Sequence, residues 1–396
     1  MPASLSTVDK ITKEIYQGKI RAQLSEESVG YKRIEKTNEG VTNEVGGKYV
    51  TFPIRVRRNH GIGYRNEMEL LPSAGQQGYA SVRVGLKYGY GRVRLTGQLI
   101  ELADSNYQAF ASAMQLEMDG LKTDIGKDTN RVFYGDGLGT LATVTAATVG
   151  TNTAVVNSVR FLEVGVQIDI QTGATATVRV ANRQVTAVNS ATKTITFDGA
   201  VASLAVGDLI VRTGNFGREP NGLASLVTDT GTLFNVDPNV EPVWKAVVRS
   251  NAGTNRALSE GLMIEATDAV RVNGGKTSLI LCGLGVRRAY FNLLSQQRRY
   301  PSTTNFEGGF TGLAFNNGRE IPVIEDPDAP DSTMYGLDED SLKIYRNEAW
   351  SWMNRDGGIW KWVHDFDAYE AIMNQYWEIG LNRRNANFVI KDLVEG

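Results

Sequence analysis

From Lys48 onward apolar residues recur at every second position. Val50, Phe52, Ile54 and Val56 alternate with Tyr49, Thr51 and Pro53, the pattern of a strand. A second alternating run extends from Tyr79 to Leu99 through Val82, Val84 and Leu86. Between them lies a glycine-rich, charged stretch, Arg57-Arg58-Asn59-His60-Gly61-Ile62-Gly63-Tyr64-Arg65, followed by Glu67, Glu69 and Pro72. So long a connection without a core of its own is predicted to be functional or to drape over a partner. The spacing then changes to three and four. Tyr107, Phe110, Met114, Met118, Leu121, Ile125 and Val132 make one apolar stripe, with Asp104 or Ser105 as cap. This predicts a helix over 105–134, about 45 Å long at ~1.5 Å per residue. Gly120 and Gly126 each weaken it by ~1 kcal/mol relative to Ala, so packing must hold it.

Residues 1–46 are dense in charge. Val8, Ile11 and Ile15 keep helical spacing, but Gly18 and Gly30 interrupt it, and the segment reads as an arm that packs on something else. Residues 139–217 carry only nine charges and no Pro, Trp, Tyr, Met or His. Short β-branched runs (141–149, 166–170, 178–188, 194–197, 208–212) separated by turns such as Asn189-Ser190 and Asp198-Gly199 predict an inserted small β-barrel or sandwich. Beyond it, helices are expected at 259–273, stopped by Gly274-Gly275, and at 286–300; strands are expected at 277–282, 320–324 and 334–337. Near the end, Trp350-Ser351-Trp352 and Trp360-Lys361-Trp362 flank Asn354-Arg355-Asp356-Gly357-Gly358. Their symmetry predicts a hairpin in which Trp350 faces Trp362 and Trp352 faces Trp360, each pair contributing roughly 0.5–1 kcal/mol.

Composition narrows the function classes. The 396 residues suggest two or three units, and 42 Lys+Arg against 44 Asp+Glu leave a net charge of −2, which gives no polyanion-seeking field. One cysteine, Cys282, excludes an intrachain disulfide; two histidines, His60 and His364, make a zinc site or a histidine-based triad improbable. No apolar run approaches the ~18 residues of a membrane span, and Met1-Pro2-Ala3-Ser4 lacks the layout of a signal peptide, so the expectation is a chain made in a cytosol.

The candidate chemistry is sparse. Gly283-Leu284-Gly285 stands between a strand and a helix, as in a dinucleotide fingerprint, but Arg288 occupies the third glycine position, so a plain turn is expected. Glu325, Asp326, Asp328 and Asp331 lack calcium-loop spacing and are broken by Pro327 and Pro330; a solvated loop is expected. Cys282 follows Leu279, Ile280 and Leu281 and reads as a buried, unreactive thiol, and both histidines read as structural. Arg83, Lys87, Arg92 and Arg94 interleave with Tyr88 and Tyr90. A nucleic-acid stacking strip has that pattern; a strand with a solvated or partner-facing basic side has it too, and suits the near-neutral chain better. No cofactor, metal or catalytic set emerges, so a structural role is expected over an enzymatic one.

The order of parts resembles the major capsid protein of tailed bacteriophages, with the Hong Kong 97-type fold, over most of the chain. Local phrases are similar as well: Asn221-Gly222-Leu223, Gly318-Arg319-Glu320-Ile321-Pro322-Val323 and Tyr335-Gly336-Leu337-Asp338. The resemblance implies an α+β chain with an N-terminal arm (1–46), an E-loop hairpin (47–96), a spine helix (97–138), the inserted all-β domain (139–217), an axial domain (218–343), a peripheral-domain hairpin (344–372) and a return to the axial domain (373–396). It implies self-assembly as pentamers and hexamers into an icosahedral virion shell around double-stranded DNA contacted non-specifically. Portal and scaffold or decoration proteins are the further partners, no membrane is involved, and assembly takes place in the bacterial cytoplasm.

Under this resemblance Arg55, Arg57, Arg58, Tyr64, Arg65, Glu67 and Glu69 become inter-subunit contacts of the E-loop, and Asn354, Arg355 and Asp356 the tip of the peripheral hairpin. Some family members weld subunits through a loop lysine and a hairpin asparagine. Asn354 could supply the asparagine, but no lysine occurs between Lys48 and Lys87, so a non-covalent shell is expected. No long acidic or helical segment precedes the arm, which points to a scaffold that is separate or already removed. The nearest rival is an encapsulin, a bacterial compartment shell of the same fold; the insertion and greater length favour a phage. A carbohydrate-binding reading of 139–217 is poorly served by Phe161, Phe197 and Phe216 alone.

Overall fold

A computed structural model describes residues 28–37, 49–98, 107–173, 177–296, 312–315, 319–354 and 358–396. Val8, Ile11 and Ile15 of the expected arm, both expected caps of the long helix, and Arg355 and Asp356 lie outside the described residues. Among the described residues of the arm is a short helix, α1 (Gly30–Thr37), and it packs within its own chain. Tyr31 and Ile34 are buried, with the Tyr31 ring 5.5 Å from that of Trp377 in an edge-on contact.

The period-two runs form β1 (Tyr49–Arg57), β2 (Gly78–Gly85) and β3 (Lys87–Thr96). β1 and β2 make an antiparallel hairpin, from Tyr49 opposite Gly85 to Arg57 opposite Gly78. Val82 and Val84 bury its one covered face against Trp244 and Tyr345. The second run, which reads as continuous from Tyr79 to Leu99, is divided at Leu86, and β3 belongs to a different sheet. Alternation continues across the break because the chain stays extended while its hydrogen-bonding partner changes.

The long helix is α2 (Tyr107–Tyr134). It differs from a simple one-sided stripe, since Thr129 to Tyr134 are buried on every side where the helix end enters the core. Next comes the insertion: β4 (Thr140–Thr143), β5 (Thr148–Val155), β6 (Gln167–Gln171), β7 (Val178–Asn189), β8 (Thr194–Leu204) and β9 (Leu209–Arg212). All pairings are antiparallel in the order β4-β9-β6-β7-β8-β5. The two edges meet through a bridge between Val144 and Val156, flanked by Thr145 N–H to Val155 O and Asn157 N–H to Thr143 O, both 2.9 Å. The sheet therefore curls into a small barrel around Ile168, Ile170, Ile195, Phe197 and Ile210. Each such side chain contributes about 1.5–3 kcal/mol by leaving water, enough for a core separate from the rest of the molecule. At the neck Gly139 (φ 84) and Gly217 (φ 67) take left-handed conformations that a side chain would strain, and Gly217 N–H closes on Leu138 O at 3.0 Å.

The body follows: α3 (Leu223–Leu226), β10 (Val247–Arg249), α4 (Glu260–Val272), β11 (Leu279–Cys282), α5 (Leu284–Gln296), β12 (Gly312–Phe315), β13 (Arg319–Glu325) and β14 (Met334–Leu337). Ser259 caps α4, its hydroxyl accepting from Leu262 N–H at 3.2 Å. β11 is covered on both faces: Ile280 and Cys282 meet Met263, Ala266 and Val270 of α4 and Val286 of α5, while Leu279 and Leu281 face Val132 and Phe133 of α2. The strand's unbroken apolar run has that cause.

The final stretch contains β15 (Leu342–Arg346), β16 (Ser351–Trp352), β17 (Trp360–Trp362), β18 (Ala368–Leu381) and β19 (Phe388–Ile390). β19 enters the body sheet, ordered β10-β19-β14-β11-β13-β12, parallel to β10 and antiparallel to β14. The tryptophan hairpin is corrected here. β16 and β17 pair with β18 and not with each other: Trp352 stands opposite Met373, Trp360 opposite Ala371 and Trp362 opposite Tyr369. With β15 they form one interrupted edge strand, and the chain reverses at 363–367, where Val363 N–H reaches Ala368 O at 2.9 Å. Exposed Asn354 thus lies in the interruption between β16 and β17 rather than at the turn. The 14-residue β18 offers more ladder positions than the short Trp-rich runs offer each other. On its other edge it pairs with β3 from Ala368–Thr96 to Trp377–Lys87.

The carboxylate loop after β13 also differs from expectation. Asp326 and Asp328 are buried, not solvated. Asp326 Oδ2 accepts from Gly30 N–H at 2.7 Å, Tyr134 Oη at 3.0 Å and Asn130 Nδ2 at 3.1 Å, and its Oδ1 accepts from Asp328 N–H at 2.9 Å. Asp328 Oδ2 takes Asn130 Nδ2 at 2.7 Å and Lys127 Nζ at 2.9 Å. Asn130 Oδ1 in turn accepts Tyr31 N–H at 3.1 Å. These bonds satisfy donors at the N-terminus of α1 and tie three distant segments together, which is why the carboxylates are inside. Both histidines are exposed rather than structural, His364 lying 2.7 Å from Asp365.

Candidate assembly surface

Residues 58–77 leave the end of the β1–β2 hairpin as an excursion. At its root the two limbs touch. A Cβ on Gly75 would stand 2.4 Å from Asn59 Oδ1 and 2.7 Å from Gly61 N, so only glycine permits the approach. Asn59 Oδ1 accepts Gly61 N–H at 2.7 Å. Further out, Asn66 and Glu69 close a turn on each other. Asn66 N–H and Nδ2 both donate to the Glu69 carboxylate at 3.0 Å, and Glu69 N–H returns to Asn66 O at 3.2 Å. Those two donors hold the Glu69 carboxyl below its ordinary range. The Arg65 guanidinium donates to Leu70 O at 2.9 Å and Tyr64 O at 3.0 Å.

Because these polar groups bond one another, the apolar side chains are turned outward. Tyr64 is 98 %, Met68 101 % and Leu70 90 % exposed, with Ile62 and Leu71 close behind. Burying one such side chain yields roughly 1.5–3 kcal/mol, against about 0–1 kcal/mol for an exposed ion pair. The apolar set therefore dominates what the tip could gain from a partner, and contiguous exposed apolar groups of this kind mark interaction sites.

The contacts expected from sequence are placed as follows. Arg55, Arg58 and Glu67 are exposed. Arg57 binds Glu241 at 2.8 Å in its own chain, and Arg65 and Glu69 are used inside the turn. The structure brings Tyr64 to the tip beside Ile62, Met68, Leu70 and Leu71, four residues that sequence reasoning passed over. A signal was present: the alternation of Glu67-Met68-Glu69-Leu70 lasts only four residues before Leu71-Pro72 breaks it, too short a run to join either neighbouring strand, so no internal face accounts for its apolar residues.

Away from the excursion, two charge clusters join the insertion to the rest of the molecule. Arg131, buried at the end of α2, binds Asp128 at 2.8 Å and Glu219 at 2.7 Å; Arg212 of β9 binds Asp128 at 3.0 Å. Burial alone would lower the Arg131 pKa, but Asp128 and Glu219 outweigh it and raise it. Arg160 of the insertion pairs with Asp331 and donates to Ala329 O at 2.8 Å. The barrel is thus docked on the body by charge at its neck.

The other candidates resolve simply. Cys282 is fully buried, and burial pushes its thiol up to about 12. The Gly283-Leu284-Gly285 turn is filled by the chain itself, since a Cβ on Gly285 would meet the Glu395 carboxyl at 2.5 Å and Gly396 N–H donates to Gly285 O at 3.1 Å. Among the described residues no group of three His, Cys, Asp or Glu could hold a metal ion, and no helix is long and apolar enough to cross a membrane.

Comparison with solved structures returns phage-type capsids. The chain is similar to the cyanophage A-1(L) capsid subunit at 16 % identity and a TM-score of 0.54, covering 87 % of this chain and 88 % of that one. It is similar to the capsid of the empty GTA particle at 9 % identity and a TM-score of 0.55, with 99 % of each chain covered. At such identities the likeness establishes the fold, of the Hong Kong 97 capsid type. A comparison with curated protein sequences found no match. The family model of the SU10 major capsid protein matches residues 106–393, taking in the whole of α2 and every element after it through β19, and the chain accordingly belongs to that family of phage major capsid proteins.

Proposed function

We propose that this capsid protein assembles as pentamers and hexamers into a closed, non-covalent head shell around double-stranded DNA, with each 58–77 excursion lying on a neighbouring subunit. One observation carries the reading: a tip whose polar groups are bonded internally while Tyr64, Met68 and Leu70 stand in water. An isolated subunit gains nothing from that arrangement; a ring of identical subunits gains it at every interface. The role is structural rather than catalytic. Assembly in the bacterial host cytoplasm, with a portal and scaffold or decoration proteins as further partners, fits the same reading.

Electron microscopy of the purified chain, with light scattering on the same sample, tests it. Closed shells or five- and six-membered rings are expected, and Met68→Ser/Leu70→Ser/Leu71→Ser should abolish them while leaving thermal unfolding unchanged. A monodisperse monomer across salt and concentration would refute the reading. Cargo protein in place of DNA inside native particles would assign the chain to a compartment shell.

A further inference from the structure

The inserted barrel has a symmetry that docking on the body does not require. Leu162-Glu163-Val164-Gly165 leads into β6, and Leu204-Ala205-Val206-Gly207 leads into β9. Leu162 and Leu204 are both buried, Val164 and Val206 are both 66 % exposed, and Gly165 (φ 97) and Gly207 (φ 90) are both left-handed. From these phrases the first half of the barrel maps onto the second, at an offset of 42 positions from Leu162 onward and of 41 up to Asn157. The hydrogen bonds keep the offset. Val144 N–H donates to Asp208 O at 2.8 Å and Val144 O accepts Gly207 N–H at 2.9 Å; Val185 N–H donates to Val166 O at 2.9 Å and Val185 O accepts Gly165 N–H at 2.8 Å. Thr143 N–H donates to Asn157 Oδ1 at 2.8 Å, as Gln184 N–H donates to Asp198 Oδ1 at 2.6 Å. The ladders keep it too. Ala142–Ile210 and Thr143–Leu209 recur as Arg183–Ile168 and Gln184–Gln167, and the Val144–Val156 bridge recurs as Val185–Phe197. Two pairs, Asp169–Val211 and Ala154–Ile195, map onto themselves and lie on opposite walls of the barrel. A two-fold axis through them exchanges β4, β5 and β6 with β7, β8 and β9, and one end of the barrel with the other.

We infer that the insertion is two copies of one three-stranded unit, 140–171 and 178–212, fused in tandem, and that the surface of each unit has the other copy as its partner. The pairing shows why one unit needs a second. β6 pairs only with β7 and β9, and β9 only with β4 and β6, so the third strand of each unit finds all its ladder partners in the other copy. A single unit would leave those backbone groups and its apolar face in water; a copy turned about a dyad covers both, as in an isologous dimer. Counterparts in the core are complementary in size: Ala154 and Val156 in the first unit answer to Ile195 and Phe197 in the second, all four buried. The docking groups break the dyad. Arg212, which binds Asp128, answers to Ile170, and Arg160, which pairs with Asp331, stands in 158–161, whose counterpart 199–203 carries no charge. These two arginines select which of two like ends sits on the body.

Hydrogen exchange of the full chain, read by mass spectrometry on peptides from 178–212, tests the duplication. In one variant 143–168 is replaced by a second 184–210, with Ala154 and Val156 kept at their own places. The retained second unit should exchange within about threefold of its rate in the unmodified chain, because its new partner is a copy of itself. Exchange faster by about tenfold or more, with the tryptophan fluorescence of the body unchanged, overturns the proposal. The same 184–210 residues inserted in reverse order should abolish protection; protection that survives would show that any alternating sequence suffices, and overturns it as well. A second set of variants tests the dyad in the core. Phe197→Val opens a cavity and Val156→Phe overpacks, so each should speed exchange by about tenfold or more. The reciprocal Val156→Phe/Phe197→Val rebuilds the same core turned through the axis and should restore the unmodified rate. Effects that simply multiply in the double variant refute the dyad.

Discussion

Replacing Asp326 with alanine removes a carboxylate that holds three segments far apart in sequence. Four donors lose their acceptor: Gly30 N–H, Tyr134 Oη, Asn130 Nδ2 and Asp328 N–H. Asn130 Nδ2 keeps Asp328, so three donors are left buried without a partner. Each costs about 1–3 kcal/mol, and relief of the buried charge offsets part of the sum, which leaves roughly 3–5 kcal/mol. Asparagine should do nearly as badly, because either orientation of its amide directs an NH2 at a donor. Tyr134→Phe deletes one donor and leaves the carboxylate the rest, so about 1 kcal/mol is expected. Urea unfolding followed by tryptophan fluorescence measures all three. Trp377 is in contact with Tyr31 of α1, so release of the helix should register in the same signal. If Asp326→Ala costs less than Tyr134→Phe, the carboxylate is not what holds α1 and the reasoning fails.

Burial of Glu378 pushes its carboxyl up to about 8, against the opposing Asn221 and Ile379 N–H bonds and the Lys87 charge. The folded state therefore holds a proton that the unfolded state has released above about 4.5, and stability falls as pH rises from there through about 8. Glu378→Gln should flatten that slope and stabilise the protein above pH 8; urea melts at pH 5 and pH 9 with equal differences between the two proteins would rule the account out. Excising 140–216 to join Gly139 to Gly217 removes a barrel with its own core and the Arg212–Asp128 and Arg160–Asp331 pairs, both partly exposed. A loss of no more than ~2 kcal/mol is expected. The six tryptophans all lie outside the excised segment, so their fluorescence reports the body alone, and a molten spectrum would show the barrel to be integral.

Much of the fold was legible because periodicity is local. The period-two runs at Tyr49–Arg57 and Gly78–Gly85, the helix ending at Tyr134 and the β-branched stretch that curls into the barrel each depend on residues near one another in the chain. The same holds for Cys282, whose apolar neighbours already placed it inside. The order of these parts was enough to suggest a capsid subunit.

Tertiary structure decided the rest, wherever a residue's environment comes from far away. Trp352 and Trp360 look like partners in sequence, yet both are taken by β18, whose length gives a longer ladder than a local hairpin could. Asp326 and Asp328 look solvated between two prolines, and are buried because Gly30, Asn130 and Tyr134 bring donors that no local pattern announces. Charge in the 58–77 excursion looked like the contact set. Only the folded turn shows Arg65 and Glu69 bonding inward and Met68, Leu70 and Leu71 left to water. Spacing along the chain dictates which way side chains alternate; which donors, ladders and faces meet them is settled by closure of loops that can be hundreds of residues long.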